Sequence, residues 1–225
     1  MLKIFDTFYK KLPSVSKQLY QIGQFYEAPV GYMLQQRAQR LRVDYYNPDK
    51  PHNSNYIFEN IDLHTFDPSK NKDGFREKTI YEFFLAIKHK FRPVVILSTP
   101  IVEWHDYGVT YRDCYVVAPT YSLRDRSESY KFTEEFILRV QACEYPALFY
   151  LPKSEEFNIA ESIIRLDCIL TLPKEILRPC GNKAMTDEFK DCLMAWVWYF
   201  LGGSLDKDIQ AYRDLALESL RATFS

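Results

Sequence analysis

Three separated segments carry polar side chains where an ordinary core strand would need none. They are Phe91-Arg92-Pro93-Val94-Val95-Ile96-Leu97-Ser98, Tyr115-Val116-Val117-Ala118-Pro119-Thr120 and Ser162-Ile163-Ile164-Arg165-Leu166-Asp167-Cys168-Ile169-Leu170-Thr171-Leu172. An arginine, a threonine and an Arg-x-Asp on neighbouring strands would suit metal-free handling of a phosphodiester. Guanidinium groups offset charge that develops on the phosphoryl oxygens, a hydroxyl hydrogen-bonds one of them, and a carboxylate accepts a proton. The chemistry expected of such a set is RNA cleavage.

Each residue also has a plainer account. Residues two apart in a strand share a face, so Arg165 and Asp167 should project together. Inside an apolar run that is costly unless the two face a groove or pair with each other, and a structural salt bridge at a sheet edge would satisfy the same pattern. Arg92 precedes Pro93, which holds it extended and aims its side chain. Thr120 follows Pro119 and is expected to end its strand, with its hydroxyl at the sheet rim; either residue could equally be a cap or turn residue. Tyr121 and Ser122 adjoin Thr120, and His89 lies three residues before Arg92, so all three are candidate RNA contacts. For His89 a solvated position at a helix end is the alternative. Tyr115, Tyr45, Tyr46 and Trp104 could stack on bases, although most of the 17 tyrosines must be structural.

The elements that must position these residues follow from hydrophobic periodicity. Ile4, Phe5, Phe8, Tyr9 and Leu12 have helical spacing ending at Pro13, with a second short helical stretch from about Ser16. Residues 23–28 suit a first strand. From Gly31 to Lys90 the chain is rich in Asn, Asp, Lys, Pro and Tyr and reads as an insertion with little core of its own. Its firm element is a helix over 76–90, where Ile80, Phe83, Phe84 and Ile87 repeat at i, i+3, i+4, i+7. Strands are expected at 93–98, 114–119, 146–151 and 162–172, while 134–141 fits a strand or a helix. Short strands without regular intervening helices predict an α+β, mainly β fold: a small antiparallel barrel or half-open sheet. Thr186 is the expected N-cap of a helix closing at Gly202-Gly203, with an apolar stripe of Phe189, Leu193, Trp196, Val197 and Phe200, and a last helix covers about 205–222.

Composition bounds the function. Hydrophobic residues at 47% and aromatics at 16% supply a core, so disorder is excluded for most of the chain. A net charge of -1 excludes a protein that coats nucleic acid non-specifically, so any nucleic-acid contact must be local. Cysteines at 114, 143, 168, 180 and 192 are odd in number and lack CxxC spacing; they read as reduced small hydrophobes, with no metal or cofactor expected. Lys3, Asp6, Lys10 and Lys11 interrupt any signal-peptide core, and no apolar run reaches the roughly 18 residues of a membrane span. A cytoplasmic protein without membrane contact is the expectation.

In order, and in spacing within each segment, the three segments resemble the motifs of the PemK/MazF (Kid) family of toxin endoribonucleases. Residues 91–98 match its x-Arg-Pro-Val-x-Val-x-Ser strand, Val116–Thr120 its Val-x-Pro-x-Thr strand, and Ser162–Leu172 its Ser-Val-Val-Arg-x-Asp-x-x-x-Thr-Ile strand. Gly23-Gln24-Phe25-Tyr26 looks like its first strand, and 186–203 like its C-terminal helix. The resemblance implies an SH3-like barrel of the PemK/MazF/CcdB type: one elaborated domain with an N-terminal helical extension (1–22), a barrel core (23–28 and 90–180), an insertion (30–89) and C-terminal helices (184–225). It implies a sequence-specific, metal-independent endoribonuclease of a toxin-antitoxin type system. Arg92, Thr120, Arg165 and Asp167 would be the catalytic set, acting on single-stranded RNA to leave 2′,3′-cyclic phosphate and 5′-hydroxyl ends. An antitoxin protein and a homodimer, the latter through the sheet and the Trp196, Trp198, Tyr199 helix, would be the partners. The sequence departs from the pattern in three ways: the long insertion replaces the short first hairpin loop, Leu170 stands where an arginine often precedes the late threonine, and only His89 could replace the Glu or His before Arg-Pro. A non-catalytic barrel of the same superfold, binding a protein as CcdB relatives do, is the alternative.

Overall fold

The computed structural model describes residues 5, 7–13, 20–31, 39–45, 55–60, 84–86, 89–103, 112–125 and 127–224. In chain order the strands are β1 (Tyr9–Lys11), β2 (Gln24–Gly31), β3 (Gln39–Tyr45), β4 (Asn55–Asn60), β5 (Phe84–Ala86) and β6 (His89–Ile96). They continue with β7 (Ile101–Glu103), β8 (Arg112–Ser122), β9 (Leu148–Leu151), β10 (Ser162–Arg165), β11 (Leu170–Pro173) and β12 (Arg178–Met185). The helices are α1 (Glu134–Gln141), α2 (Asp187–Phe200) and α3 (Lys207–Phe224). The fold is therefore α+β and mainly β. The chain divides into two compact units, Met1–Ala28 with Phe91–Ser225, and Pro29–Lys90.

The larger unit is organised by β8. The sheet runs β1-β12-β2-β6-β8-β10-β9, with β7 and β11 also paired to β8. On one side of β8, β7 pairs at Cys114 and β6 at Val117, Ala118 and Pro119; on the other, β11 pairs from Cys114 to Val117 and β10 from Thr120 to Ser122. The break between β6 and β7 has a local cause: the Ser98 hydroxyl accepts the Val116 N–H at 3.0 Å, replacing a ladder bond. Among the described residues β1 and β9 end the run, β7 and β11 pair with β8 alone, and the sheet does not close into a barrel.

One core fills the space between this sheet and α2. Phe25, Val95, Ala118, Phe149, Ile164 and Met185 from the strands meet Phe189, Leu193 and Trp196 from the helix, all buried. Full burial of each of the larger of these side chains contributes roughly 1.5–3 kcal/mol before conformational entropy is set against it. The Trp196 indole N–H donates to the Leu148 carbonyl at 3.2 Å, tying the helix to β9. Trp198 is 62% exposed, so of the aromatic helix residues expected to form a contact surface, Trp196 is instead core. A second cluster, Leu123, Ile137, Val140, Tyr150 and Ile163, lies between α1 and β8, β9 and β10.

Several local expectations are corrected. Residues 9–11 are strand, because pairing of Tyr9–Lys11 with Lys183–Met185 satisfies backbone that an isolated helix end would leave open. Phe84–Ala86, in the second unit, is a strand of the sheet β4-β3-β5, and His89 and Lys90 open the strand β6 rather than end a helix; the other residues of the expected 76–90 helix lie outside the described residues. Residues 134–141 are helix, with the Thr133 hydroxyl accepting the Phe136 N–H. The 162–172 run is broken by a single 3-10 turn at Leu166–Cys168. Thr186 does occupy the N-cap position of α2, but its hydroxyl makes no cap bond and instead donates to the Thr7 carbonyl at 3.2 Å. The α2 terminus matches its double glycine: Gly202 has φ +96°, and a Cβ on Gly203 would meet the Trp198 ring at 2.2 Å.

Candidate functional site

The β6, β8 and β10 ladders bring the nominated residues to one place. Val94 pairs with Pro119, so Arg92, two residues earlier, shares a face with Tyr121, two residues later. Tyr121 in turn pairs with Ile163, and Arg165 lies two residues on from Ile163 along the same face. The Arg92 guanidinium carbon stands 4.3 Å from the Tyr121 ring centroid and that of Arg165 stands 5.6 Å from it. Two cations from flanking strands thus share one aromatic ring, an arrangement in which the ring's negative face attracts both.

Asp167 closes the cluster. Because the chain leaves β10 in a 3-10 turn, Asp167 folds back on Arg165 in a two-point contact: Nε donates to Oδ1 at 2.9 Å and Nη2 donates to Oδ2. The hydrogen bonds from Arg165 hold the Asp167 carboxyl below the usual carboxylate range, against burial that pushes it up, and the Cys168 thiol adds a smaller lowering contribution. The same bond raises the Arg165 guanidinium further above its ordinary value. Both side chains keep partial solvent access, 27% for Arg165 and 33% for Asp167. Asp167 takes the Nε–H and one Nη2–H, so the second Nη2–H and the Nη1–H groups face away from it, toward an incoming oxygen.

Thr120 is placed differently from expectation. β8 continues to Ser122, Thr120 is buried, and its hydroxyl donates to the Pro93 carbonyl at 3.1 Å. It therefore fixes β6 against β8 next to Arg92. The Ser122 hydroxyl donates to the Arg124 carbonyl at 2.7 Å and accepts the Arg124 N–H at 3.2 Å, closing a local turn. His89 is exposed at the first residue of β6, within the Pro29–Lys90 unit. Tyr115 is buried and stacked on Tyr20 at 5.0 Å, with its phenol pushed up by burial, then Asp113 and Tyr20. Tyr46 and Trp104 lie outside the described residues, as does the Tyr45 side chain.

A neighbouring network was missed from the sequence. Buried Glu161 accepts from the Tyr150 hydroxyl at 2.6 Å, from Arg124 Nε at 2.9 Å and from the Tyr130 hydroxyl at 3.4 Å. Arg124 also lies 3.7 Å over the Tyr130 ring. The available signal was that Glu161 and Arg124 flank Ser162 and Ser122, which pair in the ladder, so two opposite charges sit at one strand end. Among the described residues no group of three or more His, Cys, Asp or Glu is gathered as a metal site would require, and no helix is long and apolar enough to cross a membrane. All five cysteines are free thiols. Compared with known proteins, the chain matches no family model, no curated protein and no solved structure, so the PemK/MazF resemblance rests on its own motifs.

Proposed function

We propose that the chain is an endoribonuclease that cleaves single-stranded RNA by transesterification, with Asp167 as base, Arg92 and Arg165 as phosphate-binding cations and Tyr121 as the ring that holds the two cations apart. The convergence of both guanidinium groups on Tyr121, with Asp167 against one of them, carries this reading. The RNA supplies its own nucleophile. Asp167 takes the proton of a 2′-hydroxyl, the 2′-oxygen bonds to phosphorus, the bond to the 5′-oxygen breaks, that oxygen takes a proton from water, and the proton on Asp167 passes to the hydroxide so formed. A 2′,3′-cyclic phosphate and a 5′-hydroxyl result. An arginine retains its proton at any pH the fold survives, so Arg92 and Arg165 stabilise charge rather than donate protons. Thr120 acts through the Pro93 carbonyl by holding Arg92 in place.

An SH3-like, half-open barrel of the PemK/MazF type, an antitoxin partner, a homodimer, sequence-specific cleavage and a cytoplasmic location belong to the same proposal. Exposed Trp198 and Leu201 on and just after α2 offer apolar surface to either protein partner. The two-point Arg165–Asp167 pair favours a second reading: a site that stays closed would leave a CcdB-like protein-binding module with no chemistry. Incubation of the folded chain with single-stranded RNA separates the two, since the second reading predicts no cut, and an RNA with one 2′-deoxynucleotide at a mapped cut site then tests the nucleophile. The proposal expects that single substitution to abolish the cut there. A cut that persists would mean the 2′-hydroxyl is not the nucleophile.

A further inference from the structure

The surface around α1 carries an aromatic stack that the catalytic cluster does not use. Tyr145 and Phe136 are stacked with centroids 5.6 Å apart and planes 29° apart, and Phe136 and Phe132 follow at 4.9 Å and 30°. Among the described residues the stack ends at Phe132, which is 42% exposed. Its middle rung is held firmly: the Phe136 N–H is capped by Thr133, and Ile137 beside it is buried.

The stack and the site share a foundation. Phe136, Tyr145 and Tyr121 all pack against the buried cluster of Leu123, Ile137, Val140, Tyr150 and Ile163, as does Leu148, which pairs with Arg165 across the β9–β10 ladder. Charge near the stack is mixed: exposed Lys131, beside Phe132, is tied by its Nζ to the Ser122 carbonyl at 3.1 Å, and the α1 side is acidic. Glu134 and Glu135 open α1 and are exposed, and Arg139 is tied to Glu135 at 2.6 Å and Glu144 at 2.9 Å. Tyr130 is a poorer platform, because Arg124 lies over its ring.

We propose that Phe132, at the open end of this stack, is a subsite on which an unpaired base flanking the cleaved phosphate stacks. The inference rests on the ribonuclease reading above. Near-parallel rings ending in an exposed ring fit a planar occupant as the next rung. The acidic first turn of α1 sends the phosphates away, so the bases face the patch. Stacking on an aromatic ring is sequence-tolerant and releases no counterions, whereas phosphate contacts do.

The test uses full-length chain made inactive by Asp167→Asn, titrated with a single-stranded RNA carrying 2-aminopurine, whose fluorescence falls on stacking. Phe132→Leu should weaken binding about tenfold and remove the quench, and Phe132→Trp should restore both. The ratio of the two affinities should be the same at low and high salt, while Arg92→Ala should lower the salt slope as well as the affinity. Equal binding and quench by Phe132→Leu and its parent would overturn the subsite, as would failure of Phe132→Trp to restore binding. If that overturning occurs while the wild-type chain still cleaves RNA, the subsite alone falls. If the chain neither binds nor cleaves RNA, the ribonuclease reading falls with it.

Discussion

The guanidinium carbon of Arg92 lies over the ring of Tyr121, 4.3 Å from its centroid, although the two residues belong to different strands and meet only through the β6–β8 register. Arg165 approaches the same ring from β10. Like charges this close repel, and the ring's quadrupole together with Asp167 offsets that repulsion.

Tyr121 should therefore matter as a ring. Tyr121→Phe is expected to keep RNA affinity and stability, and Tyr121→Ala to lose about 0.5–2 kcal/mol of stability together with RNA binding. Chemical denaturation and RNA titration of the two variants check this. A hydroxyl role would instead show as a defect in Tyr121→Phe.

Asp167 sets a pH signature. Its folded value lies below the ordinary 3.8, so the folded state binds its proton less readily than the unfolded chain, and the resulting stability is present above the unfolded value and lost as pH falls through the folded one. Between about pH 5 and 8 Asp167 stays ionised and contributes no slope to the cleavage rate. Asp125 and Asp187 are lowered as well, so the comparison that isolates Asp167 is wild type against Asp167→Asn. The melting temperature of the variant should fall less steeply below pH 4.

Thr120 is predicted to act by position. Thr120→Ser keeps a donor for the Pro93 carbonyl and should retain activity. Thr120→Val leaves that carbonyl without it, at a cost of about 1 kcal/mol, and should weaken RNA binding through Arg92. Equal activity in Thr120→Val and wild type would show that the bond to Pro93 does not serve the site.

Glu161 anchors Arg124, Tyr150 and Tyr130 from a side chain only 8% exposed. Glu161→Ala leaves a buried tyrosine hydroxyl and a guanidinium short of their acceptor, which costs about 1–3 kcal/mol. At about 2–4 °C per kcal/mol for a chain of this size, calorimetry should find the melting temperature lowered by several degrees. An unchanged melting temperature would mean that water replaces the carboxylate without loss.

The sequence made legible what local pattern controls. The β-branched run after Arg92 and the stripes of α2 and α3 announce themselves through periodicity. What failed was decided by partners far along the chain. Tyr9–Lys11 has helical apolar spacing yet is strand because Met185 lies opposite it. β12 was not foreseen: it carries Pro179 and Gly181, and the sheet accepts it through a register shift between Pro179 and Ala184. Arg165 and Asp167 were expected to project together from one strand; they meet instead because a 3-10 turn follows Arg165, letting β10 and β11 both pair with β8. The Arg92–Tyr121 contact needs the β6–β8 register, which no local pattern encodes.

The central claim is tested most directly by incubating wild type, Arg165→Ala and Asp167→Asn with mixed-sequence single-stranded RNA in EDTA, after matching melts show all three folded, and mapping the ends. The account predicts discrete cuts by wild type with 2′,3′-cyclic phosphate and 5′-hydroxyl ends, slowed about a hundredfold or more in both variants. Intact RNA after incubation with folded wild type, or equal cutting by all three, would contradict it.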